Sequence, residues 1–390
     1  MRKRISQIKR EMEKRQILKY DMTNFDGAEL KQIRLNRSLS LTAACYKICS
    51  TSYLSKLENN KIVPSRNIVY SLCEAYGLPE KTINAMFNLK KLLAEAVECF
   101  FIDDKKSLQR IMDNISGLSG FRFLLISFIY QIYNLDLFNA ERSYKKLLGL
   151  LSTFSDEDFE VFALFSAIYN YQSGDFLEAL DNINSLASSN TKIIRFGYSV
   201  YYFYINYAMC NLDVIKAYND LYDAYLKNGR YYDIDKISYY MAIFYLKNNC
   251  ITGYNEMLNR VGDNYRDHLK FYYAWLIENR IDRTLLTGYI NEFCKCLIYI
   301  NSKTDYVKSS LSNHYGIVEP DYDYYYLEYQ LLSTVEEKIE YIEVMVGYLK
   351  RSPNEFLRRY FIKESINLTL ETSKYKTCSN LAYKLINFKE

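Results

Sequence analysis

The sequence predicts an all-α protein in which an N-terminal helix-turn-helix bundle precedes a long solenoid of paired helices. Three observations support this fold class. Only 4 prolines and 13 glycines occur in 390 residues, so few residues break helices. Residues 39–65 read as two short helices joined by a turn, and from about residue 100 a helix-pair pattern recurs at intervals of 35 to 39 residues.

Positive charge is concentrated near the N-terminus. Residues 1–66 contain 15 Lys and Arg against 6 Asp and Glu, whereas the rest of the chain contains 35 against 40. A local excess of positive charge suits a partner with a phosphate backbone. We therefore expect the N-terminal part to bind nucleic acid and the mildly acidic remainder to recognise something else.

Residues 1–22 form a basic N-terminal extension in the predicted domain organisation. Eight Lys and Arg residues lie between positions 2 and 19, with apolar residues between them. Two interpretations stay open for this segment. It is either an arm that lies along DNA phosphates or a solvated terminus that frays.

The predicted DNA-binding domain spans residues 23–79 and begins with a helix over residues 27–37. In the stretch that follows, apolar residues at helical spacing fall into two runs, which residues 50–52 interrupt with hydroxyl side chains. Ser50 or Thr51 can cap the second helix by accepting hydrogen bonds from its first backbone N–H groups. The apolar residues of the two runs are Ala44, Ile48, Leu54 and Leu57.

In a helix-turn-helix, the N-terminal half of the second helix enters the major groove, where hydroxyls and cations contact base edges and phosphates. The basic residues of the first helix are expected to face outward as well. The predicted DNA-binding residues are Lys31, Arg34, Arg37, Ser50, Thr51, Ser52, Tyr53, Lys56, Asn60 and Lys61.

Residues 27–65 resemble the Xre/Cro-type helix-turn-helix, and residues 52–59 (SYLSKLEN) are similar to its recognition helix. One position departs from that family. The first motif helix usually begins with Gln, which braces a backbone contact, and this chain has Leu41 there. The resemblance therefore implies a DNA-binding head without a phosphate contact from position 41.

A connector helix is predicted over residues 80–100, followed by a right-handed tetratricopeptide-like α-solenoid over residues 101–390. A small residue recurs four positions after an Asp or Asn, and a bulky side chain there would push two packed helices apart. A loop around residues 302–320 interrupts the period before four further helices. The recurring pairs are Asp136 and Ala140, Asp175 and Ala179, Asp213 and Ala217, and Asn249 and Gly253.

The concave side of such a solenoid suits an extended peptide. Arg195, Tyr198, Tyr202 and Asn206 share one helix face by their spacing. An Asn amide can bind a peptide unit, and an Arg can bind a terminal carboxylate. The alternative is that Tyr202 and Asn206 only bridge neighbouring repeats. The predicted peptide-binding residues are Asn170, Arg195, Tyr198, Tyr202, Asn206 and Tyr240.

The sequence offers little for catalysis. It contains 2 histidines, no Gly-rich phosphate loop, and neither an HExxH nor a GxSxG motif. Its 9 cysteines are scattered without metal-ligand spacing and read as reduced, mostly buried thiols. We therefore expect no catalytic residues, no metal and no cofactor. The opening residues lack the apolar core of a signal peptide, so a cytoplasmic protein without membrane association is expected.

A helix-turn-helix head joined to a tetratricopeptide-like region resembles the RRNPP group of peptide-pheromone receptors of Gram-positive bacteria, and within it the PlcR- and NprR-like branch. This resemblance implies a homodimeric transcription regulator of quorum-sensing type that binds a double-stranded DNA operator and a short signalling peptide. Two alternatives stay open. The solenoid docks a protein partner instead of a peptide, or it holds an unrecognised helical active site.

Overall fold

The computed structural model describes residues 27–59, 61–62, 66–78, 80–115, 120–151, 154–281, 292–299, 307–308 and 323–387. Within these ranges the all-α prediction is confirmed, with twenty helices. The first ten helices are α1 (Gly27–Asn36), α2 (Leu41–Ala44), α3 (Thr51–Glu58), α4 (Arg66–Ala75), α5 (Glu80–Phe101), α6 (Lys105–Ile115), α7 (Phe121–Tyr133), α8 (Leu137–Leu148), α9 (Asp156–Gln172) and α10 (Phe176–Asn184).

The second ten helices continue to the C-terminal end of the described chain. They are α11 (Lys192–Ala208), α12 (Asp213–Lys227), α13 (Tyr231–Lys247), α14 (Ile251–Leu258), α15 (Asp263–Leu276), α16 (Glu292–Tyr299), α17 (Asp323–Gln330), α18 (Val335–Leu349), α19 (Glu355–Glu371) and α20 (Tyr375–Ile386). The basic extension lies outside the described residues, as does the predicted loop around 302–320 apart from residues 307–308.

The head consists of α1 to α4. Helix α3 packs on both α1 and α2, and each of the four helices contributes buried apolar side chains. The first motif helix is shorter than its apolar pattern indicates, because Lys47 adopts a left-handed conformation with a φ of 61° and ends the helical path. Gly77, with a φ of 67°, closes α4 in the same way.

The backbone contacts divide the chain into two compact units. The first contains the described residues up to 173 together with 181–198, and the second contains residues 174–180 and those from 199 onward. In the first unit, α5 packs on α6 and α7, and α7 packs on α8 and α9. A buried ion pair fixes the start of α9, because Arg122 Nη2 lies 2.8 Å from Asp158 Oδ2.

Gly197 of α11 lies where three helices of the first unit meet. A Cβ atom at this position would stand 2.6 Å from the Phe101 ring of α5 and 2.7 Å from a methyl group of Leu164 in α9. Contacts this short do not occur between real side chains, so glycine is required for the close approach of the three helices.

The helix-pair period is visible in the turns between paired helices. A residue with positive φ ends the first helix at Leu135, Gly174, Cys210 and Asn249, with φ values of 59°, 78°, 50° and 56°. The recurring alanines of the second helices are buried, and a Cβ on Gly253 would lie 2.6 Å from the Tyr245 ring. The packing reason predicted for the small residues is thereby seen in the structure.

Replacing Gly197 by alanine is expected to lower the free energy of unfolding by about 1–3 kcal/mol, because the added methyl group overpacks the α5, α9 and α11 contact. Chemical denaturation of the full chain measures this. Gly347, inside α18, is the matched control because its Cβ would meet nothing within 4 Å. Gly347→Ala should stabilise the chain by about 0.5–1 kcal/mol, and equal effects of the two variants would contradict the packing argument.

Candidate DNA-binding site

Helix α3 is fixed at its start and along its inner face. The Ser50 Oγ accepts a hydrogen bond from the Tyr53 backbone N–H at 3.1 Å, which confirms Ser50 as the N-cap. Leu54 and Leu57 are fully buried and hold the helix against α1 and α2. The opposite side of α3 is therefore presented to solvent in a defined orientation.

The exposed side of α3 carries hydroxyls and one cation. Thr51, Ser52 and Lys56 are exposed, and Tyr53 is half-buried. The acidic residue of α3, Glu58, is only 3% exposed and contributes no carboxylate to this side. Such a surface can donate hydrogen bonds to base edges and phosphates without repelling them.

The prediction that Arg34 faces outward is wrong. Its side chain is 6% exposed, and its Nε and Nη2 donate to the two Glu58 carboxylate oxygens at 2.6 and 2.8 Å. Its Nη1 donates to the Leu39 carbonyl at 2.7 Å. The hydrogen bond to Glu58 raises the pKa of the guanidinium. Helical spacing alone could not reveal this, because the partner lies 24 residues away.

The other predicted DNA-binding residues occupy varied positions. Arg37 and Lys61 are exposed, Lys31 is half-buried, and Ser50 is exposed but uses its hydroxyl as the cap of α3. Asn60 lies outside the described residues. DNA contact by these residues stays a prediction.

Tyr46 and Lys47, in the turn before α3, are exposed next to the predicted DNA-binding residues but were not among them. The Tyr46 side chain is 69% exposed. The Lys47 ammonium lies 5.3 Å from the centre of the Tyr46 ring. Both residues lie between Ala44 and Ile48, whose helical spacing predicts packing and not a binding role. The one available signal was an aromatic and a cation side by side immediately before the motif's second helix.

Two thiols of the head, those of Cys49 and Cys73, have pKa values above the ordinary value for cysteine. Burial raises the pKa of Cys73 to about 12 and also raises the pKa of Cys49. These cysteines therefore behave as small apolar side chains and add no negative charge beneath α3.

The predicted peptide-binding residues of α11 differ in accessibility. Arg195 is exposed, Tyr198 and Tyr202 are half-buried, and Asn206 is fully buried. The Asn206 amide nitrogen donates to the Tyr202 carbonyl at 2.7 Å, and its amide oxygen accepts from Asn211 at 2.8 Å. In this arrangement the Asn206 amide is occupied by its own helix and turn.

The two remaining peptide-binding predictions are also buried. Tyr240 packs against the rings of Tyr204 and Tyr207 at centroid distances of 6.0 and 5.1 Å. Asn170 is 5% exposed, and its amide nitrogen has no hydrogen-bond partner among the described residues. Asn170 belongs to the first unit and Tyr240 to the second.

A cavity of about 560 Å³ lies in the first unit between α5, the start of α9 and the start of α11. Its floor is apolar and includes Val97, Val161 and Ile194. At its rim, Lys90 Nζ lies 2.7 Å from a Glu157 carboxylate oxygen. No sequence pattern predicts this cavity, because its lining residues come from three segments that are distant in the chain.

The described residues contain no cluster of three His, Cys, Asp or Glu side chains suited to a metal ion. Among the described helices, none combines the length and apolar character needed to span a bilayer.

Residues 27–86 match the family described as the helix-turn-helix domain. The predicted helix-turn-helix is therefore confirmed. The chain is a helical protein in which a helix-turn-helix head is followed by further helices.

The chain is similar to the transcriptional activator NprA of Geobacillus stearothermophilus, with 28% identity over 146 residues, covering 34% of this chain and 35% of that protein. The match thus spans about a third of the relative's length. A solved structure of PlcR from Bacillus thuringiensis, in complex with the peptide PapR7 and DNA, aligns with a TM-score of 0.31 and 15% identity over 67% of this chain and 99% of that one. The domain match and the similarity to NprA confirm the resemblance to helix-turn-helix regulators.

Replacing Glu58 by alanine should destabilise the chain by about 3–5 kcal/mol, because the Arg34 guanidinium then stays buried without its carboxylate. The midpoint of chemical denaturation measures the loss. The double variant Arg34→Met with Glu58→Leu is expected to recover most of it, since both charges are removed together. A double variant that is as unstable as Glu58→Ala would contradict the ion-pair interpretation.

Proposed function

We propose that the chain is a DNA-binding transcriptional regulator of quorum-sensing type whose helical region after the head binds a short signalling peptide. The observation that carries the DNA part is the exposed side of α3. It holds hydroxyls and Lys56 with the acidic residue turned inward, within a segment that matches the helix-turn-helix domain family.

The proposed DNA contacts follow from this geometry. The first turn of α3 enters the major groove, where the hydroxyls of Thr51 and Ser52 contact base edges or phosphates. Lys56, one turn further on, neutralises a phosphate, and Arg37 and Lys61 add positive charge. Helix-turn-helix proteins bind two half-sites as dimers, so we propose a cytoplasmic homodimer on a double-stranded operator.

Lys56→Ala should weaken binding to a duplex selected from random-sequence DNA by about tenfold and lower the salt dependence of log K by about one unit. Tyr53→Ala should weaken it as well. Fluorescence anisotropy at several salt concentrations measures both effects. Lys105→Ala, which removes an exposed cation at the start of α6, is the matched control and should change neither quantity. Unchanged affinity of Lys56→Ala would count against α3 as the reading helix.

The peptide part of the proposal is supported by the resemblance to peptide-pheromone receptors and by the face of α11. Arg195 is exposed on this helix and can bind a terminal carboxylate with two parallel hydrogen bonds. Tyr198 and Tyr202 follow on the same face by their spacing. A backbone contact from Asn206 requires its amide to leave the Tyr202 carbonyl or Asn211.

A synthetic peptide from the C-terminal part of a secreted pro-peptide, encoded next to the gene, should raise the melting temperature of the full chain. Binding of ligand to the folded state alone stabilises it by mass action. Arg195→Ala should abolish the shift. Lys216→Ala, which removes an exposed cation from α12, is the matched control and should retain it. No shift with any fragment would favour a surface that docks a protein partner.

A further inference from the structure

The helices α17 to α20 form a C-terminal block with a hydrophobic core of its own. Every buried residue of that core lies between residues 329 and 385, and the partly buried residues packed against it lie between residues 325 and 362. The buried core of the block is therefore formed by the block's own helices.

This block forms hydrogen bonds with the ends of two earlier helices and with the turn residue Gly174. The Ser352 hydroxyl donates to the Gly174 carbonyl, just after α9. The Asn354 amide donates to the Ala208 carbonyl at 2.7 Å, at the end of α11. Arg359 Nη2 donates to the Lys247 carbonyl at 3.2 Å and to the Asn248 side-chain oxygen at 2.9 Å, at the end of α13.

These acceptors are the carbonyls that each helix end leaves without a partner of its own. In α11, the carbonyls of residues 205–207 accept from the backbone of the following turn. The next two, those of Ala208 and Met209, accept from the Asn354 side chain and the Glu355 backbone N–H. The same order recurs in α13, where local N–H groups satisfy residues 244–246 and Arg359 takes the Lys247 carbonyl.

We propose that the C-terminal block is a latch that opens and closes as one body on the ends of α11 and α13. Its catch is the polar segment from Ser352 to Arg359. Its pivot is α17, where Tyr326 packs on Trp275 at a centroid distance of 5.3 Å. Opening breaks a few hydrogen bonds and the contact between the Lys247 ammonium and the Phe356 ring, 5.3 Å apart, and it leaves the block's own core intact. It therefore occurs below the free energy of global unfolding.

The C-terminal block forms hydrogen bonds with the same turn that forms hydrogen bonds with Asn206. Asn211 donates its side-chain amide to Asn206 and its backbone N–H to the Asn206 carbonyl, and the carbonyls held by the block follow directly at 208 and 209. A ligand that draws the Asn206 amide away from this turn disturbs the acceptors of the catch. This link to a ligand rests on the proposed function, whereas the latch itself rests on the contacts alone.

Asn354→Asp separates the catch from the fold of the block. The Asn354 side-chain oxygen accepts from the Leu357 N–H at 2.9 Å and caps α19, and aspartate retains this acceptor. The substitution removes the donor to Ala208 and places a carboxylate against that carbonyl. Lys363→Ala, which removes an exposed cation from the same helix, is the matched control.

Amide hydrogen exchange of the full chain, without DNA or peptide, tests the latch. Asn354→Asp should speed exchange about tenfold at the Glu355 amide, whose N–H donates to the Met209 carbonyl, and at residues 209–211. Exchange in α18 and α20 should stay unchanged, as expected for the loss of one buried hydrogen bond. Lys363→Ala should leave these amides as they are. If Asn354→Asp does not fold, Arg359→Ala tests the catch at residues 248–250.

Unchanged exchange at the turn that a variant releases would overturn the latch. Equal acceleration throughout the second unit would overturn it as well, because the block would then unfold together with the helices it contacts. Since neither ligand takes part, these outcomes are independent of whether the chain binds an operator or a peptide.

Discussion

The Arg34–Glu58 ion pair is the interaction on which the helix-turn-helix head depends. It joins α1 to the last turn of α3 through two hydrogen bonds in a buried site, and Arg34 also holds the Leu39 carbonyl in the chain that leads into α2. The pair orients α3 and removes the carboxylate of this helix from the surface. The orientation of α3 and the absence of a carboxylate from its exposed side thus both result from this ion pair.

Beyond the head, the organisation follows from how helices end. A residue in the left-handed conformation turns the chain after the first helix of successive pairs, and a small residue on the second helix permits close packing. Helix ends also leave carbonyls that need donors. In the second unit, the C-terminal block supplies those donors to α11 and α13. The ends of α11 and α13 are therefore determined both by a left-handed turn residue and by hydrogen bonds from residues more than a hundred positions away.

The sequence predicted the features that local patterns control. Helix class, the Ser50 cap and the buried small residues depend on periodicity and neighbouring residues, so they could be read from the chain. Arg34 was misassigned because its burial depends on Glu58, a partner brought close only by folding. Asn206 was misassigned for a different reason: its partner Asn211 is only five residues away, and the left-handed turn at Cys210, which helical spacing does not predict, brings the two side chains together. The catch formed by Asn354 and Arg359 lies 146 and 112 residues from its acceptors, beyond any local pattern.

The central claim is that a basic head reads DNA through α3 while the helical remainder recognises another ligand. Hydroxyl-radical footprinting of the full chain on a selected duplex tests it most directly. The account predicts two protected segments centred about 34–36 Å apart along the helix axis, or a multiple of this distance, each flanking a major groove. Protection that lacks this spacing, or none at a salt concentration where other helix-turn-helix proteins bind, would contradict it.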